Sequence, residues 1–375
     1  MTARSAARSV LIVGGGIAGL TAAIALARTD WEVEVVEANP DWSVAGWGLS
    51  LTGPSLRALD RLGLADECLA AGYGIAEITN CDSAGEPTSV IALPRLLGEG
   101  RPAQAGLGRP ALHRILREEA ERRGAVLRTG ATVTSLAQRG SEVDVQVSDG
   151  TSRTVDLVVG SDGIRSAVRG LLGIEAESHY GGQMVWRALV PRPDWVQSLH
   201  TFTGMEHNAG IIPISQDRAY VFVTENGAEP GVLPADELDW RMRDLIAGFT
   251  GRVKPIRDSI GDPADVVRRP VTTSLVAGAW HVGHTVLIGD AVHAPSPQMV
   301  SGAALAIEDG ILLADELASG DPVETALKRF GARREPRCRY LVESSVRIAA
   351  LEGAGQHAEA HALQQGCHRR MAEPA

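Results

Sequence analysis

The segment SVLIVGGGIAG, residues 9–19, together with WEVEVVE, residues 31–37, decides the fold. Ser9 to Val13 is a short apolar run that ends in glycines, Ile17 to Arg28 is rich in alanine and leucine, and Trp31 to Glu37 alternates with period two. That order predicts strand, turn, helix, strand. Gly14, Gly16 and Gly19 fill the three places of a GxGxxG turn. The first permits the sharp turn, the second lets backbone approach a pyrophosphate, and the third lets helix and strand pack closely. The helix that opens at Ile17 and Ala18 turns its free amides toward the anion. Glu37 closes the second strand, where a carboxylate accepts hydrogen bonds from the ribose hydroxyls of an adenosine half. The predicted ligand is a dinucleotide, with NAD and FAD both open.

Beyond this unit, Arg109 to Arg123 has the apolar spacing of an amphipathic helix through Leu112, Ile115 and Leu116, and Ala125 to Leu136 is strand-like. Val143 to Val147 and Thr154 to Val159 flank an Asp149-Gly150 turn, as a hairpin would. From Gly181 to Val276 the character changes. Met184 to Val190, His207 to Ile214 and Ala219 to Thr224 are strand candidates, and Pro234 to Phe249 carries one helix. Thr285 to Ile288 then returns to a buried strand, Gly302 to Leu317 to a helix, and Pro336 to Arg369 to a helical tail. The expected architecture is α/β: a discontinuous Rossmann-like domain (1–72, 98–178 and 277–340), a sheet-rich substrate domain (73–97 and 179–276) and a C-terminal helical region (341–375).

The chain of 375 residues has a formal charge of -10 at pH 7, which argues against a protein that grips nucleic acid or an anionic membrane. Cys68, Cys81, Cys338 and Cys367 form no CxxC pair, so no metal site and no disulfide framework is expected and a cytoplasmic setting fits. The start is basic before an apolar run, but Val10 to Val13 is too short for a signal peptide core and reads as a first strand. No stretch approaches the ~20 apolar residues of a membrane span.

Two further segments carry chemistry. DLVVGSDGIRSAVR, residues 156–169, sets Asp162 at the end of an apolar strand. VLIGDAVHAPSPQMVSGAALAIEDG, residues 286–310, follows a buried strand and leads into a long helix. Asp290 can accept from a sugar or ribityl hydroxyl, and a helix start at Ser301, Gly302 and Ala303 offers bare amides to developing negative charge. His293 fits a loop-holding role better than that of a base.

Taken together, GGGIAG with Glu37, SDGIRSAVR and IGDAVHAPSP resemble the three fingerprints of the group A flavoprotein monooxygenases, the para-hydroxybenzoate hydroxylase-like family. The resemblance spans nearly the whole chain. It implies FAD in the first domain, substrate held by the sheet of the second, and NADH or NADPH as co-substrate. It further implies O2 activation as a flavin C4a-hydroperoxide that hydroxylates a small aromatic or related substrate. By motif position Asp290 resembles the ribityl-binding aspartate, Arg109 the arginine that reaches the cofactor, and Asp162 the aspartate linking FAD and nicotinamide. Pro297 resembles the proline bordering the oxygen-transfer site, and Gly302, Ala303 and Ala304 the backbone that meets the flavin pyrimidine. The expected cofactor set also takes in Ala38, Gly48, Val133 and Gly289.

Met299 and Val300 depart from the glycine pair many members have, and no basic residue lies between Asp41 and Leu56. On the substrate side, DRAYVFV resembles a strand that contributes Arg218 and Tyr220, and His207 and His200 are able to deprotonate a phenol. Met184, Trp186 and Tyr220 suggest an apolar stacking pocket, with Arg187 able to meet a carboxylate. The competing readings are epoxidation or Baeyer-Villiger oxidation on the same fold, a non-oxygenating FAD-binding partner protein, and an NAD-dependent dehydrogenase. A monomer or homodimer is expected.

Overall fold

The computed structural model describes residues 8–42, 47–204 and 206–375. The chain divides into two compact units, one of Met1–Ser43, His113–His179 and Thr272–Ala375, the other of Val44–Leu112 and Tyr180–Val271. Residues 47–72 and 98–112, grouped with the first domain from sequence, belong by packing to the second unit.

In the first unit a six-stranded sheet runs in the order His281–Val282, Thr285–Leu287, Leu157–Gly160, Arg8–Val13, Trp31–Glu37, Val126–Thr129. Its pairings are parallel except for the edge hairpin His281–Val282/Thr285–Leu287. Such a sheet is covered on both faces, which is why Val10 to Val13 and Leu157 to Val159 are apolar without alternation and fully buried. Nine of the ten residues of the Ile17–Leu26 helix are buried too, as expected of a helix apolar all round.

The hairpin region departs from the sequence reading. Thr154 to Val159 is two strands, Ser152–Val155 in a three-stranded antiparallel sheet and Leu157–Gly160 in the parallel one. Asp156 makes the break: its carboxylate accepts from Ser9 N (2.7 Å) and Ser9 Oγ (3.0 Å), tying the chain to the first strand. The tail departs as well. Pro336 lies inside a 31-residue helix, Val323–Gly353, rather than at a helix start, and a second helix follows at His357–Ala372. Burial of Phe330, Cys338, Leu341 and Ile348 along this helix outweighs the hydrogen bond that an interior proline removes.

In the second unit one sheet runs Val266–Leu275, Glu177–Pro191, Arg218–Asn226, Asn208–Pro213, Leu199–Thr203, Glu77–Cys81, Pro87–Ala92. Strands alternate their side chains between faces. One face, with Trp186, Ala188, Val190, Ile211, Val221 and Val223, is sealed by Met242, Ile246, Phe249 and Val253 from the helical segment beyond Leu238. The other carries Leu189, Ile212, Tyr220 and Phe222, packed with Trp47, Tyr73 and Ile75. These come from and beside a small antiparallel sheet, Gly48–Leu51/Gln104–Gly108/Tyr73–Ile75. The two sheets touch so closely that a Cβ at Gly48 would stand 2.4 Å from Tyr220 Cδ1.

Candidate functional site

The three segments singled out in the sequence meet at the carboxyl ends of three neighbouring parallel strands in the first unit, Arg8–Val13, Leu157–Gly160 and Thr285–Leu287. Ser161 and Asp162 pack on the glycine turn, where a Cβ at Gly14 would lie 2.5 Å from Ser161 O and 2.8 Å from Asp162 Cα. Ser161 Oγ donates to the carbonyls of Val13 (2.9 Å) and Gly14 (2.8 Å). Arg169 in turn donates to Ala291 O at 2.8 Å, joining the second segment to the third. Gly289, at φ +60°, sits over Ala18, with room for no Cβ: one would stand 2.7 Å from that of Ala18. Gly19 is the tightest point, its Cβ position 2.0 Å from Gly14 O. Gly16, by contrast, has nothing within 4 Å of its Cβ position and opens the Ile17–Leu26 helix without a side-chain cap. The open side of the turn thus offers backbone amides to an anion.

Both oxygens of Glu37 accept backbone donors at 2.8 Å, Oε2 from Gly15 N and Oε1 from Asn39 N. Each keeps a second lone pair for a ribose hydroxyl. Ala38 follows it, exposed. Asp162 is spent differently: it accepts from Ser166 Oγ and from Ala167 N (2.7 Å) and Val168 N (3.1 Å), capping the Ala167–Leu171 helix. Sequence reasoning missed Trp42 and His113. His113 Nε2 bonds Gly15 O at 2.8 Å, and the Trp42 ring lies against both Gly15 and His113, ring centroids 5.3 Å apart. No periodicity marks either residue, since the contact joins a loop to a distant helix. Val133 is buried at the start of Val133–Arg139.

In the third segment Asp290 is exposed, as is Pro297, which opens a short 3-10 turn, Pro297–Met299. The helix Gly302–Leu317 has the predicted bounds and no side-chain cap, so Gly302, Ala303 and Ala304 present unpaired amides. The hydroxyls of Ser296 and Ser301 are buried without partners among the described residues. Uncapped amides beside unpaired hydroxyls fit a polar, electron-rich ring edge such as a flavin pyrimidine. Val300 stands at φ +49°, ψ +31°, the left-handed region that a β-branched residue avoids. Its side chain is 39% exposed, so little packing holds it there. Val300→Gly is expected to stabilise the protein by about 1 kcal/mol, the left-handed penalty less the entropy glycine adds to the unfolded chain. Thermal unfolding checks this; an unchanged or lowered midpoint refutes it.

Behind this segment lies a buried ionic network. Asp309 accepts from His293 Nε2 (2.7 Å), Arg334 Nε (2.7 Å) and Gly289 N (2.8 Å). Glu308 accepts from Arg334 Nη1 (3.0 Å) and Arg337 Nη2 (3.0 Å), and Arg337 reaches the carbonyls of Arg370 and Met371. Burial pushes the Asp309 carboxyl up, but His293 and Arg334 outweigh it and hold it at about 2. Burial likewise disfavours charged His293, yet Cys338 and Asp309 hold its pKa well above the usual histidine range. His293, Asp309 and Cys338 place ligand-type atoms within 4.8 Å of one another. The Arg334 guanidinium already neutralises that carboxylate, so the cluster is a structural ion pair that pins Gly289 to the Val323–Gly353 helix.

In the second unit, antiparallel pairing of Leu189 with Tyr220 and of Arg187 with Phe222 puts all four on one face. Burial raises the Tyr220 phenol to about 12, against the pull of Arg187, Ser50 and Arg109. It is therefore a hydrogen-bond donor at neutral pH and not a base. Met184 and Trp186 do not line this face. One residue out of register with Arg187, they point to the opposite side, where Trp186 Nε1 donates to Glu225 at 2.8 Å. Arg218 shares Tyr220's face two positions away. His207 sits five positions from Ile212, which pairs with Tyr220, about 17 Å along the strand. His200 is on the sealed face, its Nδ1 against Ser198 O at 2.9 Å. Gly48 and Arg109 belong to this unit, and Arg109 N donates to Trp47 O at 3.1 Å.

The profile of the FAD binding domain family matches residues 7–345. The aurachin C monooxygenase/isomerase of Stigmatella aurantiaca is 30% identical over 92% of this chain and 89% of its own. The 3-amino-4-hydroxybenzoate 2-monooxygenase PtmB3 of Streptomyces platensis is 31% identical over 88% of this chain and 85% of its own. Among solved structures, Klebsiella pneumoniae HpxO complexed with FAD and uric acid superposes with a TM-score of 0.86 at 23% identity, covering 98% of this chain and 97% of that one. No helix among the described residues is long and apolar enough to cross a membrane.

Proposed function

Since this chain belongs to the FAD binding domain family of group A flavoprotein monooxygenases, we propose that it oxidises NADH or NADPH and uses O2 to hydroxylate a small aromatic or closely related molecule. The convergence of the three segments at the carboxyl ends of adjacent parallel strands carries this reading. Bound FAD supplies the redox chemistry, and the protein supplies binding, orientation and charge.

In this proposal the amides of Gly14, Gly16, Ile17, Ala18 and Gly19 take the pyrophosphate and Glu37 with Ala38 the adenosine ribose. Asp290, beside Gly289, accepts from the ribityl chain. Gly302, Ala303 and Ala304 stabilise negative charge at the pyrimidine end through the dipole of a 16-residue helix. Pro297 borders the reacting position, and Val133 and Asp162 complete the cofactor set of the first unit. Tyr220 donates to a substrate oxygen, with Arg218 beside it on the same face, while His207 lies too far along the strand to take part. The four cysteines are unpaired and buried, in keeping with a cytoplasmic protein, and a monomer or homodimer is the proposed state.

The test is NADH and NADPH consumption, with peroxide release, by FAD-loaded protein in air, alone and with phenols, aromatic acids and quinolones. One compound should speed consumption at least ten-fold without matching peroxide. Tightly bound FAD that no compound helps to reduce would sink the oxygenase reading.

A further inference from the structure

In the first unit a row of buried charges runs from the cofactor turn to the end of the chain. Asp309 holds Gly289 N and Arg334, and Glu308 bridges Arg334 and Arg337. The Arg337 guanidinium ends the row on two backbone carbonyls, Arg370 O (Nη1, 2.6 Å) and Met371 O (Nη2, 3.1 Å). No side chain in the row is more than 5% exposed. Two guanidiniums and two carboxylates alternate, so each charge is neutralised only while its neighbours keep their places. The two carbonyls are among the last four of the His357–Ala372 helix, which have no partner inside the helix and lie at the negative end of its dipole. That helix is otherwise thinly packed. Of its described side chains only Ala360, Cys367 and Met371 are buried, a narrow stripe for sixteen residues, and a helix draws most of its stability from the apolar face it packs. It lies near the Pro297–Met299 turn all the same.

Arg337 makes two hydrogen bonds to Glu308 and two to the helix end, so undocking the helix removes half of them and lets water reach the row. The loss passes to Glu308, Arg334 and Asp309, because in a low-dielectric network each bond polarises the next. A weakly held helix is also the element that opens first. We infer that docking of the C-terminal helix and binding of FAD are coupled through this row, with Arg337 as the positioning residue. A docked helix keeps Asp309 on Gly289 and so holds the turn that carries Asp290, and bound FAD in return holds the helix. Linkage makes the two effects equal in size. The coupling rests on the FAD reading of the first unit and on no particular substrate or reaction.

Hydrogen exchange on the full chain, with and without saturating FAD, reads one direction of the coupling. The amides of residues 357–372 should exchange about five-fold or more slowly with FAD, beyond any slowing in the Leu238–Leu245 helix of the second unit, which lies outside the row. FAD titration reads the other direction. Arg337→Met should raise the FAD dissociation constant about ten-fold and cut the FAD effect on the helix's exchange to roughly two-fold or less. A merely structural Arg337 would loosen the helix equally with and without FAD, leaving the FAD effect intact, and that result overturns the inference. Should the variant not fold, Ala360→Glu puts a charge on the buried stripe and undocks the helix while leaving every side chain of the row intact. It should weaken FAD by a similar factor, and an unchanged affinity is equally fatal. FAD bound with no change in the helix's exchange sinks the coupling alone, whereas a chain that binds no FAD sinks the cofactor reading with it.

Discussion

Asp309→Asn is expected to lower stability by about 3–5 kcal/mol, because it strips buried His293 of its carboxylate and leaves Arg334 with Glu308 alone. For a chain of this length that is a fall on the order of 5–10 °C in the melting midpoint. The amide also cannot accept at once from Gly289, His293 and Arg334, so the Gly289 turn loosens and FAD affinity should fall with stability. A double variant with Arg334→Met should lose less than the sum of the two single changes, by about 1 kcal/mol or more. Additive losses, or a midpoint within 1–2 °C of the parent, would show that the network contributes little.

The same network sets a pH window. Asp309 titrates in the fold at about 2, below its ordinary 3.8, so the stability it contributes is present above that ordinary value and is lost as pH falls toward 2. His293 has a folded pKa well above 6.5, so its contribution is complete below 6.5 and is lost as pH rises through the folded value. Asp309→Asn should flatten both limbs of the stability profile measured from acid to mildly alkaline pH.

The glycine turn yields the second large effect, and two neighbouring positions should separate folding from cofactor binding. At Gly19 a methyl group would lie 2.0 Å from Gly14 O and 2.5 Å from Ser161 Oγ, so Gly19→Ala forces helix and strand apart. It should cost about 1–3 kcal/mol in stability, since neither neighbour is a free side-chain end. FAD affinity should fall about 100-fold, equivalent to roughly 2.7 kcal/mol. At Gly16 the same methyl group meets nothing within 4 Å. Gly16→Ala should therefore melt like the parent without cofactor, yet bind FAD at least ten-fold more weakly if a pyrophosphate approaches that backbone. Equal FAD affinity in Gly16→Ala and the parent would move the pyrophosphate elsewhere; the cofactor dissociation constant and the cofactor-free melt together decide it.

The sequence by itself determined the parallel core and its dinucleotide turn. Apolar runs with period two or 3.6, glycines at fixed spacing and an acid at a strand end are local signals, and the strand Trp31–Glu37 and helix Gly302–Leu317 fall where those signals put them. The cofactor segments were legible for the same reason, each being a contiguous strand, turn and helix start. Tertiary structure decided what depends on register and on distant partners. Whether Trp186 or Arg187 faces Tyr220 turns on a single-residue step in a pairing with Arg218–Asn226, more than thirty positions away. His113 against Gly15 and Arg334 against Asp309 are contacts between helices and loops that no spacing announces. Pro336, where the sequence places the start of a helical tail, lacks the amide a helix interior uses, and only the burial of the residues around it carries the helix through.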